Sequence, residues 1–161
     1  SNQELSPRVK RVEELFTAAD IAYQIPEDMI RVMWWKYMIN VGVNQVSAVL
    51  RASFGTFQKS QYARNLMQEA MQEVINVAAA KGIQLDTGDI QSWLQVMDTL
   101  DPEGKTSMCQ DVLAGRKTEV EMFAGTLLTM ARDLDVPTPL NHYLFQLLRA
   151  IEQDMGSDAS R

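Results

Sequence analysis

A lysine and two asparagines recur at every fourth position of the mostly apolar stretch WWKYMINVGVN, residues 34–44. On an α-helix each step of four residues drifts by only about 40°, so Lys36, Asn40 and Asn44 would share one face. Lysine is a charged donor whose pKa falls when it is partly buried, which suits a general acid. Asparagine both donates and accepts, which suits a substrate hydroxyl or carbonyl. Such a row fits a small polar anion better than an apolar ligand.

Two other interpretations of this row compete with a binding face. The row could be the exposed side of an amphipathic helix, or the two amides could be buried and satisfy neighbouring backbone. The first fits poorly, because residues 33–49 hold no acid and a single base, whereas exposed helix faces favour Glu, Lys, Arg and Gln. The physics of the sequence leaves a binding face and buried interhelical amides both open.

The second half of the chain offers candidate partners for this row. Ser107 and Glu119 each stand at the start of a predicted helix. Helix N-termini favour anions, so Ser107 is a candidate to bind a carboxylate there. Thr118 and Glu121 have the spacing of a capping box. Glu119 then points about 200° away from Glu121 and is available for another role, although a plain first-turn acid is the ordinary alternative.

Almost the whole chain has the pattern of helices. Pro26 to Leu50 contains no further proline and predicts one long helix, and Gln58 to Lys81 predicts a second that ends at Gly82. Shorter helices are expected at about 7–19, 89–100, 107–114, 118–135 and 138–153, with 21–25 short enough to be extended. Ser6 is expected to cap the first of these helices, which carries an apolar stripe formed by Val9, Val12, Leu15, Phe16 and Ala19. No strand pattern alternates for long. The prediction is an all-α domain of seven or eight helices around two long central ones.

Composition excludes several classes of function. The chain has 161 residues, of which 46% are hydrophobic, enough for one domain with a core. Its net charge is -6 and its pI about 4.8, which argues against nucleic acid or an anionic membrane as the main partner. No apolar run reaches the roughly 18 residues that a membrane-spanning helix needs.

The sequence also lacks the common catalytic and metal-binding motifs. Cys109 is the one cysteine; it excludes an intrachain disulfide, fits a reducing compartment and is interpreted as a small buried apolar residue. His142 is the one histidine and has no cysteine or histidine partner for a zinc site. Neither G-x-G-x-x-G nor a Walker loop is present, so the chain does not bind a dinucleotide by itself in the usual way.

Three ordered blocks of the sequence together resemble a known family. They are the K-x-x-x-N-x-x-x-N spacing from residue 36, the stretch KTSMCQDVLAGRKTEVEMFAG at 105–125, and the stretch DVPTPLNHYLFQLLRAIE at 135–152. In these blocks and their internal spacing the chain is similar to the C-terminal domain of ketopantoate reductase (2-dehydropantoate 2-reductase). The resemblance extends from about Val9 to Glu152.

The resemblance implies a fold, a reaction and a role for each residue. The family joins an N-terminal Rossmann domain that binds NADPH to a helical domain like that of 6-phosphogluconate dehydrogenase. Hydride passes to the C2 ketone of ketopantoate in the cleft between them, giving pantoate for coenzyme A synthesis in the cytoplasm. By analogy Lys36 is the general acid, and Glu119 helps to set its state and is the one residue here that could also reach the cofactor. Asn40 and Asn44 would hold the substrate's oxygen groups, and Ser107 its carboxylate.

The resemblance also implies that a domain is missing. We expect a tag remnant or linker at 1–7, where Ser1 and Asn2 resemble a cleavage scar, a helical substrate-binding and catalytic domain at 8–154 and a disordered tail at 155–161. Without the Rossmann domain the chain should bind NADPH poorly and turn over nothing.

Other functions remain open at this point. Phe54 and Thr56 stand where some members have another substrate-binding Asn, which leaves the 2-keto acid undetermined. The alternatives are a non-catalytic helical dimerisation or interaction module and a related 2-keto acid or opine dehydrogenase domain. The apolar helices are compatible with a homodimer, and no metal is expected.

Overall fold

The structure, a computed structural model, describes the backbone of residues 5–158 and the side chains of residues 5–155. Within that range every regular element is a helix, which confirms the all-α prediction. The α-helices are α1 (Pro7–Ala18), α2 (Met29–Ile39), α3 (Gln45–Leu50), α4 (Phe54–Lys59), α5 (Gln61–Ala80), α6 (Thr87–Met97), α7 (Ser107–Leu113), α8 (Thr126–Asp133) and α9 (Pro139–Asp158), and two π-helical turns are π1 (Asn40–Asn44) and π2 (Glu121–Gly125). No described helix is long and apolar enough to cross a bilayer.

The long central helix runs from Met29 to Leu50 and contains π1 in its middle. Asp28 caps its start by accepting a hydrogen bond from the Arg31 backbone N–H at 2.9 Å, and Arg51 ends it in the left-handed region at φ 51°. The sequence predicts the helix but not the π turn, because a π turn has no propensity signature of its own.

The core lies between the central helix and α5 and is closed by α7, α8 and α9. Gly42 allows this close packing, since a Cβ there would clash with Met71 Cγ and lie 3.1 Å from the Met67 carbonyl oxygen. Side chains that are fully buried in this core include Met38, Val41, Val46, Phe57, Met67, Met71, Met97, Met108, Leu127 and Leu148. Half of the ten methionines therefore fill the core.

Several predicted helix boundaries are wrong. The helix expected from Gln58 is broken at Ser60, whose extended backbone starts α5 and whose hydroxyl accepts from Ala63 N at 3.3 Å. A capping box at the start of α6, expected to be a turn, joins Asp86 and Asp89. The last helix continues to Asp158, into the segment expected to be a tail, whereas 159–161 lie outside the described residues.

The capping box predicted for Thr118 and Glu121 does not form. Thr118 Oγ1 donates to Glu152 Oε1 at 2.7 Å and accepts from Val120 N at 3.3 Å. Glu121 instead lies at the start of π2, with its Oε1 3.4 Å from Arg149 Nε. The reciprocal bond is lost because a long-range acid, Glu152, takes the Thr118 backbone N–H at 2.7 Å.

The first helix lies apart from the core. Ser6 caps α1 as expected, accepting from Val9 N at 3.4 Å, but α1 contains no buried residue. Most of its predicted apolar stripe is exposed, and Leu15 retains 63% of its accessible surface, whereas Phe16 is half-buried. The expected linker at 1–7 gives way to helix at Pro7, and residues 1–4 lie outside the described part of the chain.

Candidate functional site

The middle of the central helix, which is π1, is in contact with two other elements of the site, π2 and α7. The N-cap of α7 is Thr106, whose Oγ1 lies 2.5 Å from Ser47 Oγ on α3. Ser107 is the first residue of α7, so this buried hydroxyl pair places it beside the central helix. Glu119 lies two residues before the start of π2, so the contact between π1 and π2 places its backbone near the central helix.

The π turn aligns the polar row more closely than a regular α-helix would. In a π turn each N–H bonds to the carbonyl five residues back, so a step of four residues stops short of a full turn. On an α-helix the same step overshoots by about 40°. The overshoot from Lys36 to Asn40 and the shortfall from Asn40 to Asn44 therefore offset each other, and the ends of the row come back into line.

Burial increases steadily along this row. Lys36 is exposed, Asn40 is half-buried and Asn44 is only 9% exposed. The partial burial considered for Lys36 is therefore not found among the described residues. A ligand bound along this row would meet an exposed ammonium at one end and a buried carboxamide at the other.

The predicted site residues have free polar groups. Among the described residues, none forms a hydrogen bond or an ion pair with the side chain of Lys36, Asn40, Asn44, Ser107 or Glu119. A carboxamide as buried as Asn44 normally finds a partner within the fold. Its donors and acceptor are therefore available to a ligand. The five side chains do not bond to one another either, although π1 is in contact with both π2 and α7.

The buried-amide interpretation applies to the next residue, Gln45, instead. Gln45 is fully buried, and its Nε2 donates to Val41 O and to Asn141 Oδ1, both at 2.9 Å. Asn141 Nδ2 in turn donates to Glu73 Oε2 at 2.7 Å and to Ala70 O at 3.0 Å. The contrast separates a structural amide, whose donors are satisfied, from the two asparagines of the row, whose side chains are not.

Sequence reasoning missed Tyr37. Its hydroxyl donates to the Phe123 carbonyl oxygen at 2.6 Å and so joins α2 to π2. Burial raises the pKa of the Tyr37 hydroxyl well above its usual range, which keeps it a donor at all physiological pH values. Its position among Trp34, Trp35 and Met38 gave the sequence no signal beyond apolar packing.

Other titratable groups stand outside this site. Cys109 is fully buried, as predicted, and burial raises the pKa of its thiol while nearby Lys105 acts in the opposite direction. His142 is exposed on α9, with its Nε2 3.0 Å from Gln146 Nε2. Among the described residues no group of His, Cys, Asp and Glu side chains could hold a metal ion.

The family follows from the match of one sequence model. That model, described as "Ketopantoate reductase PanE/ApbA C terminal", matches residues 28–152. The chain belongs to the ketopantoate reductase family. The match spans the whole row on the central helix together with Ser107 and Glu119, and it begins after α1 and the segment 21–25.

Known relatives of the ketopantoate reductase family extend beyond this chain. The 2-dehydropantoate 2-reductase of Pyrobaculum aerophilum is 32% identical over 148 residues, which cover 92% of this chain and 53% of that protein. The chain therefore spans about half the length of this curated relative.

Solved structures share the fold. A dimeric ketopantoate reductase from Staphylococcus aureus superposes with a TM-score of 0.84 at 21% identity, covering 94% of this chain and 53% of that one. A D-mandelate dehydrogenase in a ternary complex with NADH and anilino(oxo)acetate gives a TM-score of 0.84 at 19% identity, covering 92% of this chain and 62% of that one. At these identities the likeness is one of fold.

Proposed function

We propose that this chain is the substrate-binding and catalytic half of an NADPH-dependent 2-dehydropantoate 2-reductase, which reduces ketopantoate to pantoate in the cytoplasm. The observation that carries the proposal is the unpartnered polar row Lys36, Asn40 and Asn44, aligned by π1 on the face where π2 and α7 meet. Family membership supports the reaction class, and the free donors support an oxygen-rich anionic substrate.

Each residue of the row has a distinct task in this proposal. Lys36 is the general acid that gives a proton to the C2 oxygen as the ketone becomes an alcohol. Asn40 and Asn44 hold the oxygen groups of the substrate, and the Ser107 hydroxyl donates to its carboxylate. Glu119, which precedes π2, bonds the same region of the substrate and helps to set the state of Lys36 once the substrate is bound.

The cofactor belongs mainly to another part of the protein. A reduced nicotinamide, when bound, supplies the hydride. The described residues of this chain offer no glycine-rich turn for its phosphates, but Lys36 and Glu119 are exposed and unpaired, which fits a wall that faces a cofactor-bearing domain. The wall's part in the reaction is to bind and orient the keto acid and to supply the proton.

The partner that this wall requires is an N-terminal Rossmann domain of the same protein. Support comes from the apolar surface before the family match begins at residue 28. On α1, Val9, Val12 and Leu15 are 37%, 49% and 63% exposed, and Ile21 and Ile25 beyond it are also exposed. Exposed apolar surface on this scale marks a place where another body packs.

A homodimer is also part of the proposal. An open apolar groove of about 330 Å³ lies between α2 and α8, lined by Ile30, Met33, Trp34, Tyr37, Thr126 and Met130. Met33 at its edge is 64% exposed. The Staphylococcus aureus structure is described as dimeric, and light scattering on the full-length gene product tests whether this protein behaves likewise.

The test of the proposed function is a kinetic comparison of 2-keto acids. The full-length gene product that contains this chain should reduce ketopantoate with a higher kcat/KM than phenylglyoxylate or 2-oxoisovalerate, and with NADPH in preference to NADH. A preference for phenylglyoxylate would instead favour an activity like that of the D-mandelate dehydrogenase that shares the fold. Absence of turnover with every keto acid would favour a non-catalytic interaction module.

A further inference from the structure

We propose that Tyr37 and Gln45 are positioning residues that lock the two π turns of the site. Through this lock they set where Lys36, Asn40 and Asn44 stand relative to Glu119. The proposal rests on the proposed function for its kinetic consequences, but the lock itself can be tested without activity.

Gln45 stabilises π1 from inside the core. A π turn shifts backbone hydrogen bonds from four to five residues and so leaves a carbonyl without its usual α-helical donor. The side chain of Gln45 donates to Val41 O, a carbonyl inside π1, at 2.9 Å. A buried carbonyl without a donor is unfavourable, so this bond favours the π turn over a regular α-helix.

A chain of polar groups holds Gln45 in that orientation. Its Nε2 also donates to Asn141 Oδ1 at 2.9 Å, and Glu73 accepts from Asn141 Nδ2 at 2.7 Å. Glu73 further accepts from the Asn141 backbone N–H at 2.9 Å at the start of α9. The amide of Gln45 is thereby assigned, because a flipped amide would set its oxygen against two acceptors.

The geometry of Gln45 suggests a role beyond stability. Its Oε1 is buried and has no hydrogen-bond partner within the described part of the chain. A buried unpaired acceptor opposes folding, and an apolar residue at this position would avoid it. The carboxamide of Gln45 therefore stabilises the π turn, which sets the orientation of the Asn40 and Asn44 side chains.

Tyr37 holds π2 from the other side of the site by a different kind of bond, since the carbonyl it reaches already accepts from the Thr126 backbone N–H. Its hydroxyl donates to Phe123 O, a carbonyl within the second π turn, at 2.6 Å. Tyr37 directly follows Lys36, and Phe123 N donates to Glu119 O at 3.0 Å. This single bond thus fixes the helix that carries Lys36 against the turn that follows Glu119.

The two contacts predict different kinetic defects in the full-length gene product. Tyr37→Phe removes one oxygen and keeps the ring, so Lys36 and Glu119 lose their mutual alignment and kcat should fall about tenfold with little change in KM. Gln45→Met removes the donor at nearly constant volume, so the two asparagines lose their aim and KM for the keto acid should rise about tenfold. A merely structural role would not produce this split.

Matched controls exist for both variants. Gln58 is partly buried, and like Gln45 its Nε2 donates two hydrogen bonds, here to the backbone carbonyls of Met97 at 3.0 Å and Leu100 at 2.9 Å. Gln58→Met should lower the melting temperature while leaving kcat and KM within twofold of wild type. Tyr62 is 85% exposed on α5, so Tyr62→Phe removes a hydroxyl without touching a π turn and should change nothing.

A spectroscopic measurement on the 161-residue chain separates the lock from the activity. In Gln45→Met the side-chain amide resonances of Asn40 and Asn44 should shift or broaden, whereas in Gln58→Met they should stay in place. Unmoved resonances, or unchanged kinetics in both Tyr37→Phe and Gln45→Met, would overturn the proposal. If no 2-keto acid is reduced by wild type, the proposed function fails while the amide resonances still decide the lock. Because Tyr37→Phe alters no packing, the test does not depend on Gln45→Met folding.

Discussion

Lys36 is the side chain on which the proposed chemistry depends most directly. It is exposed, its side chain has no ion pair or hydrogen bond among the described residues, and it stands at the exposed end of the row, opposite the buried Asn44. An ammonium held in this way contributes little to stability. Its contribution should therefore be visible almost entirely in catalysis.

The first prediction concerns the replacement of this lysine. In the full-length gene product Lys36→Met should lower kcat for ketopantoate by about 10²- to 10⁴-fold, because the general acid is lost, while the melting temperature stays unchanged. Steady-state kinetics measure kcat, and calorimetry measures the melting temperature. Lys81→Met, at an exposed position after α5, is the control and should leave both unchanged. A kcat near wild type for Lys36→Met would remove Lys36 from the chemistry.

At this scale the residue types of the row could be predicted from sequence, but their surroundings could not. An ammonium and two amides in an apolar stretch indicate a ligand, and family spacing links them to Ser107 and Glu119. That Lys36 is exposed, or that Tyr37 reaches Phe123 across 86 residues, depends on tertiary contacts that no local pattern contains.

At the scale of elements, the π turn of the central helix is the feature that shapes the site. It coincides with the closest approach of α5, where Gly42 leaves room for Met71. π turns occur frequently at functional sites, and here one lies between two residues of the polar row. Local propensity favours neither the α-helical nor the π-helical hydrogen-bonding pattern at residues 40–44. The contacts with α5 and the hydrogen bond from Gln45 therefore decide between the two patterns.

A substitution at Gly42 tests this packing. Gly42→Ala should destabilise the chain by about 1–3 kcal/mol, since its methyl group would overlap the Met71 side chain. Urea unfolding measures the loss. The double variant Gly42→Ala/Met71→Ala should be more stable than the sum of the single effects, because the shorter side chain relieves the overlap. Strict additivity would show that the two residues do not compete for space.

Helix caps can be predicted from sequence where their partners are local, but not where distant residues compete for the same groups. Ser6, whose partner Val9 is three residues away, forms the predicted cap. Thr118 and Glu121 have the same kind of signature, yet their box is displaced by Glu152 and Arg149 from α9. A local motif is reliable only where no distant charged group competes for the same donors.

At the scale of the whole molecule, residues 5–27 differ in burial from the residues that follow them. They precede the family match, and α1 buries none of its side chains. The helix itself could be predicted from its cap and its period. Its lack of a partner could not, because an apolar stripe has the same sequence whether or not a second domain covers it.

The covering domain can be tested by one substitution in two contexts. Leu15→Glu should leave the melting temperature of the 161-residue chain unchanged, because Leu15 is already 63% exposed. In the full-length gene product the same change should lower the melting temperature by several degrees, since a charge would be buried against the Rossmann domain. Leu147→Glu, at a residue of α9 that is 49% exposed, is the control. It should change the melting temperature of the 161-residue chain and of the full-length protein by the same amount. If Leu15→Glu left the melting temperature of the full-length protein unchanged, the Rossmann domain would not pack on α1.

The central claim is that one face of the central helix is the keto-acid wall of a ketopantoate reductase. A crystal structure of the full-length gene product with NADP⁺ and ketopantoate tests it most directly. The account predicts Lys36 Nζ within about 2.7–3.2 Å of the C2 oxygen, with the amides of Asn40 and Asn44 on the remaining substrate oxygens. A substrate bound away from this row, or a C2 oxygen held by other donors while Lys36 points into solvent, would contradict it.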